Sequence, residues 1–493
     1  MIVNTSTVTD QPKGKGFFGH PPGLSTLFFT EMWERFSYYG MRAILALYLY
    51  TVVTEGGLGM DKPTAVALVL AYGSSVYLTG VVGGWLADRM LGSQRAIFYG
   101  GVLIMLGHIC MALPGGYASL APGLGLIVLG TGLLKPNVSN VVGGLYSDED
   151  SRRDAGFSIF YMGINIGGFA APLITGALAE GPGFHWGFGA AAVGMALGLA
   201  QYVLSNARLG NAGKQPVNPL PEHRRGTVLV RVAVIAVALL VVFVGATVLW
   251  GVEGLINTIT TISIILPIIY FTVMFRSGQI TRMERDRLTA YVPLFLATAV
   301  FFLLFEQQAA TLVVVTDFQT DTTLFGYSFP VGWFQSINPL AIIVLAPLFA
   351  LLWTKWGERQ PSTPMKFVGG LIFVALGFLW VVFSGLFRDG EGLMNPLMIA
   401  FVFVLFTIGE LMLSPVGLSV TTKLAPRAFS SQTMGLYFLA PALGQGVASQ
   451  IAQLYSQENQ NLYFGGVGLV TLVLAGVLAL GTPWIKKYMH GVA

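Results

Sequence analysis

The chain has 493 residues; it is 54% hydrophobic, only 10% charged, and has a net charge of +4. Soluble domains hold about 25% charged residues, so a soluble globule of this size is excluded and the composition reads as a polytopic membrane protein. The single cysteine, Cys110, excludes an internal disulfide and a cysteine-rich metal site.

The first 16 residues are polar and lack an apolar core before a cleavage site, so no cleaved signal peptide is expected. Apolar windows of about 20 residues then follow at 22–52, 62–87, 95–113, 122–146, 155–179, 184–205, 226–249, 255–276, 289–316, 330–354, 366–386, 393–417, 429–454 and 464–486, fourteen in all. The pair at 226–249 and 255–276 is rich in Val, Ile and Leu and nearly free of ionisable groups. It follows a polar linker, 207–225, that carries Arg208, Lys214, His223, Arg224 and Arg225. Setting the pair aside leaves six helices, an insertion and six helices, the plan of transporters built from two related halves. The expected organisation is a tail at 1–21, a six-helix bundle at 22–206, a linker with two inserted helices at 207–288, and a second six-helix bundle with a short tail at 289–493.

Basic residues orient this plan. With the amino terminus in the cytoplasm, the outer loops receive only Lys62 and Arg388. Arg35, Arg42 and Lys135 fall inside helices, and the rest of the 27 Lys and Arg, including Lys13 and Lys15, face the cytoplasm. Both termini are therefore expected inside. The Gly83–Arg95 stretch, GGWLADRMLGSQR, reads as a tight cytoplasmic connection, and Glu458–Gly466, ENQNLYFGG, as an outer loop. No nucleotide-binding, hydrolase or metal-ligand motif is present, so no enzyme activity and no metal are expected.

Seven charges stand within the windows: Glu31, Glu34, Arg35, Arg42, Lys135, Glu306 and Glu410. Facing lipid they would cost on the order of 20 kcal/mol together, so they face protein or a watery cavity. Structural ion pairing would explain them; so would a transport pathway. Glu31, Glu34, Arg35, Tyr38 and Arg42 recur at three- and four-residue intervals, which puts them on one stripe of the first helix. At ~1.5 Å per residue, Arg42 and Glu306 reach similar depth toward the outer side. Lys135 and Glu410 match each other about 20–25 Å below the outer end of their helices. Arg42–Glu306 and Lys135–Glu410 are thus candidate gate salt bridges between the halves. Four acids against three bases leave a carboxylate able to carry a proton. His108, alone on the third helix, reads as a packing residue. Tyr39, Tyr77, Asn165, Gln335 and Asn338 add polar groups to apolar spans. Helix breaks are expected at Lys135-Pro136, Asn338-Pro339 and Ser414-Pro415.

These segments together resemble the proton-dependent oligopeptide transporters of the major facilitator superfamily. The resemblance rests on Glu31-x-x-Glu34-Arg35-Phe36-Ser37-Tyr38-Tyr39-Gly40, on Phe157–Gly176, Gly132–Tyr146, Phe305–Gln308 and Trp333–Pro339, and on Gly409–Ser419. It spans nearly the whole chain, including the extra helix pair of bacterial members. It implies a proton-coupled symporter that imports di- and tripeptides by alternating access in a bacterial plasma membrane. Such a carrier is driven by the proton gradient without a cofactor and functions as a monomer. It further implies that Arg42 and Lys135 receive the peptide carboxylate and that Glu410, Asn165 and Asn338 receive the amino terminus. Tyr39, Tyr77 and Ser414 would contact the substrate, Glu31, Glu34 and Arg35 would couple protons, and Glu306 would be a proton-linked gate residue. The second helix has no His, unlike animal members, and Phe302 stands where the family has an aromatic Trp seat. Another solute in the same fold, such as nitrate, and a non-transporting peptide sensor are the competing readings.

Overall fold

In lipid every backbone polar group must be satisfied internally, so each apolar window becomes helix. The structure, a computed structural model, describes residues 16–147 and 150–492. Lys13 and Lys15, with most of the expected tail, lie outside the described residues. The helices are α1 Gly23–Tyr50, α2 Lys62–Leu86, α3 Ser93–Ala112, α4 Tyr117–Gly144, α5 Arg153–Glu180, α6 Phe184–Ser205, α7 Glu222–Arg276, α8 Arg282–Phe305, α9 Thr311–Gln319, α10 Ile337–Trp356, α11 Thr363–Ser384, α12 Pro396–Leu424, α13 Ser430–Ala452 and α14 Gln460–Tyr488. Eleven helical stretches among the described residues are long and apolar enough to cross a membrane. The 55-residue α7 leaves helical geometry at Trp250 and Gly251 and so comprises two spans. With it counted twice, and with the more polar α1 and α13, the helices accord with fourteen spans in an all-α membrane fold.

Packing divides the chain into two compact units. The first comprises the described residues up to Tyr39, with Thr79–Ala171 and Phe188–Val230. It is organised by the α3–α4 pair, whose Ile97, Ile104, Leu134 and Val138 join Leu24 and Leu27 of α1 and Met195 and Tyr202 of α6 in one core. Glycines let α3 and α4 approach: a Cβ on Gly130 would stand 2.5 Å from the Gly100 carbonyl oxygen and 2.7 Å from Ile104. The second unit comprises Gly40–Leu78, Pro172–Gly187 and the described residues from Arg231 onward. It therefore joins the last part of α1 and the first part of α2 to the carboxy-terminal helices. Ser74 Oγ donates to the Ala442 carbonyl of α13 at 2.7 Å, and Trp333 Nε1 donates to the Leu173 carbonyl of α5 at 3.0 Å.

Several expectations change. Helices α4 and α12 run through Pro136 and Pro415. The backbone tolerates the lost bond because neighbouring groups can take up the freed carbonyls. Pro136 frees the Gly132 carbonyl, the atom that a Cβ on Gly83 would approach to 1.9 Å. Pro339 falls in the first turn of α10, where its missing N–H would have had no partner. The break that does occur lies between α8 and α9: a tight turn at Glu306–Ala309 ends at Ala310, with φ −135° and ψ −95°. No Gly or Pro marks it in the sequence. The ENQNLYFGG stretch is not a loop beyond Asn459, because α14 starts at Gln460. Two of its polar residues are buried, Gln460 and Tyr463, and the Tyr463 hydroxyl donates to Gln307 Oε1 at 2.6 Å.

Substituting Gly130→Ala should lower stability by about 1–3 kcal/mol, as overpacking against backbone does. Gly125→Ala on the same helix, where nothing lies within 4 Å, should stay within about 0.5 kcal/mol. Thermal melting of the purified protein in detergent reads both.

Candidate functional site

The polar stripe of α1 is divided between the units. In the first, Arg35 Nε donates to Glu31 Oε1 at 2.8 Å, one helical turn away. Glu34 Oε2 lies 2.7 Å from the same nitrogen as an ion pair. All three residues are at least 95% buried. Among the described residues, neither Glu34 oxygen has a hydrogen-bond donor. Lys135, half-buried on α4, acts electrostatically on Glu34, and Tyr39 acts on Arg35. Asn165, buried on α5, donates from Nδ2 to the Tyr161 carbonyl at 2.9 Å. The sequence stripe is thus an α1 cluster, with Lys135 added from α4.

In the second unit, Arg42 forms a buried ion pair with Glu306. The same Nη2 donates to the Glu306 backbone carbonyl at 3.3 Å. The helix break explains this double contact. Ending α8 at Phe305 leaves carbonyls without an intrahelical donor, and side chains supply donors instead. Gln335 Nε2 meets the Gln308 carbonyl at 2.6 Å, as Arg42 meets that of Glu306. Gln307 Nε2 donates to the Leu303 carbonyl at 3.1 Å.

A third group joins α10 to α12. Asn338 Nδ2 donates both to Thr407 Oγ1 at 2.9 Å and to Glu410 Oε2 at 3.1 Å. Glu410, half-buried, has no cation paired with it among the described residues, and Glu306 acts on it electrostatically. Ser414, one turn on, has a buried hydroxyl without a partner among the described residues, and its carbonyl accepts from the Tyr437 hydroxyl at 3.2 Å. Tyr77, half-buried on α2, belongs to this unit too. Phe302 is buried against Phe301 and Phe305.

The family profile described as POT family matches residues 94–469. The chain belongs to the POT family. It is 50% identical to an uncharacterized transporter, YclF, of Bacillus subtilis (strain 168), covering 100% of this chain and 99% of that one. It is 44% identical to a di-/tripeptide transporter of Lactococcus lactis subsp. lactis (strain IL1403), covering 97% and 98%. Among solved structures, a mutant peptide transporter POT in complex with alafosfalin matches with a TM-score of 0.92 at 50% identity, covering 97% of each chain. A POT family transporter in complex with 5-aminolevulinic acid matches with a TM-score of 0.90 at 40% identity, covering 96% and 98%.

This POT chain also holds polar residues that the sequence reading passed over. Asp317, on α9, accepts from the Tyr50 hydroxyl at 2.9 Å, and the Lys62 ammonium stands 3.3 Å from the centre of the Phe318 ring. Asp317 sits one residue past the apolar window 289–316, outside the spans in which buried charges were sought. Thr407 and Tyr437 carry no charge and gave no signal. His108 is fully buried with both ring nitrogens unpartnered among the described residues, which suits a packing role.

Removing one member of a buried ion pair strands the other. Arg42→Met should therefore cost about 3–5 kcal/mol of stability, and Arg42→Met with Glu306→Met much less than the two single changes summed. Melting curves of the four proteins of this cycle measure the coupling.

Proposed function

We propose that this POT chain is a proton-coupled symporter that imports di- and tripeptides by alternating access. The observation that carries the reading is the unequal provision for buried charge. Arg42 is neutralised by a carboxylate, whereas Glu410 is held by a neutral amide and leaves anionic charge for an incoming ammonium. A short peptide is a zwitterion whose ends lie some 5–10 Å apart, at ~3.3–3.6 Å per residue. Taking it out of water requires a cation for one end and an anion for the other. In this reading Arg42 and Lys135 take the carboxylate, and Glu410, Asn338 and Asn165 take the amino terminus. Tyr39, Tyr77 and Ser414 line the backbone. The match to a relative solved with 5-aminolevulinic acid, which also carries an amine and a carboxylate, supports recognition through the ends.

The proton path uses Glu306, Glu31 and Glu34 with Arg35. A proton on Glu306 neutralises the partner of Arg42 and frees the guanidinium for the peptide carboxylate. A proton on Glu34 breaks no hydrogen bond among the described residues, where neither oxygen accepts one, and it changes the field at Lys135. Arg42–Glu306 is the proposed outer gate, and Lys135–Glu410, matched in depth, the proposed pair for the opposite stage. The orientation is that of a bacterial inner-membrane carrier with both termini cytoplasmic. It comprises the bundles 22–206 and 289–493 with the inserted pair between them, works as a monomer, and needs neither cofactor nor enzymatic step.

Dialanine uptake into proteoliposomes tests this. An inward proton gradient should drive accumulation, and a protonophore should abolish it. Glu306→Gln and Lys135→Ala should each lower gradient-driven uptake at least about tenfold, equivalent to ~1.4 kcal/mol. Uptake indifferent to the gradient would remove proton coupling. No uptake by folded protein would turn the reading toward anions such as nitrate or toward a peptide sensor.

A further inference from the structure

A groove on the second unit has no part in the peptide cycle. It lies between the second helix of the inserted pair, residues 252–276, and helices α8 and α13, and encloses about 580 Å³, within the roughly 300–1,000 Å³ of small-molecule sites. Ile264, Ile268, Phe271, Phe295 and Leu296 form much of its wall, and Arg276 is its charged member among the described residues. Phe295 is 2% exposed, whereas Ile268 and Leu296 are 58% and 51% exposed. The floor is thus protein interior and the rims open onto the bilayer.

Residue size explains the groove. Earlier along the inserted helix, small and hydroxylated residues bring it onto α13. Thr260 Oγ1 donates to the Gly446 carbonyl at 2.9 Å, and a Cβ on Gly446 would stand 2.2 Å from Ser263 Oγ. Beyond Pro267 the side chains become bulky. Phe271 meets Phe295 edge-on with centroids 5.3 Å apart, and the space beside this pair is the groove.

One end is basic. The inserted helix closes at Arg276 and α8 opens at Arg282 after a short turn, so the two helices share that end. Arg285 lies seven and eleven residues before Val292 and Leu296, hence on the same face of α8. The acids nearby in the chain are engaged elsewhere. Glu284 accepts from the backbone N–H groups of Thr281 and Arg427 at 2.8 and 2.9 Å, and Asp286 pairs with His490 at 2.9 Å.

We propose that this groove binds an anionic phospholipid, with an acyl chain against Phe271 and Phe295 and the headgroup phosphate at Arg276 and Arg285. The rims are apolar and face the membrane, so the occupant enters from lipid. A zwitterionic lipid could fill the groove but would leave the arginines without a net anion. Basic pockets between membrane helices select acidic headgroups for this reason.

Native mass spectrometry of the full-length protein, equilibrated with equal amounts of palmitoyl-oleoyl phosphatidylglycerol and phosphatidylcholine, tests the proposal without reference to transport. Phosphatidylglycerol adducts should predominate. Arg276→Gln and Arg285→Gln should each reduce that preference by roughly fivefold. Ile268→Trp, which fills the groove and leaves both arginines, should remove the preferred adduct. Equal retention of the two lipids, a preference unchanged in the arginine variants, or full retention by Ile268→Trp would overturn the site. So would a lipid-free dimer, which would show a second copy covering this face.

Discussion

Much of this molecule depends on one buried ion pair, Arg42 with Glu306. Each of these charges would cost several kcal/mol to bury alone, so the fold must bring them together and supply further polar groups. It does so by ending α8 at Phe305 and restarting the helix at Thr311. The interruption exposes the Glu306 carbonyl to the same guanidinium that pairs with its carboxylate. It also places Gln307 and Gln308 where Tyr463 and Gln335 can reach them. A feature that would weaken an isolated helix becomes the junction at which α1, α8 and α14 are joined.

The other charges follow the same rule with different compensation. Arg35 serves two carboxylates, one through a hydrogen bond and one through an ion pair lacking hydrogen-bond geometry. Glu410 is satisfied by Asn338, which also reaches Thr407. A group satisfied by a neutral partner keeps its charge available; a group neutralised by an opposite charge does not until a proton arrives. That difference connects the static arrangement to the proposed transport cycle. It also explains why removing either member of a pair should damage stability as well as function.

The inserted helices show a different economy. Their lipid-exposed positions need only be apolar, which is why the windows read so plainly. Yet Thr260 and Ser263 anchor the second helix to α13 through small-residue contacts, so the pair is more than a lipid-facing appendage. Legibility follows the strength of the physical signal. The spans were legible because hydropathy in a membrane is decisive, and the α1 cluster because Glu31, Glu34 and Arg35 recur with the period of a helix. The Arg42–Glu306 pairing was legible from depth alone. The break after Phe305 was not, since tertiary donors rather than a local Gly or Pro permit it. Pro136 and Pro415 misled for the converse reason, as their freed carbonyls are tolerated within continuous helices. Asp317 and the start of α14 were missed because buried hydrogen bonds there involve residues outside the apolar windows.

The claim at the centre is that the Arg42–Glu306 pair holds the end of α1 against the α8–α9 break and so closes one side of the carrier. Spin labels at Val53 and Phe325, both exposed and both in the second unit, allow a direct distance measurement by pulsed electron paramagnetic resonance in lipid nanodiscs. The account predicts one short distance in the labelled parent and a second, longer population when Glu306→Gln is added. An unchanged distribution in that variant would contradict it and reduce the pair to a structural contact.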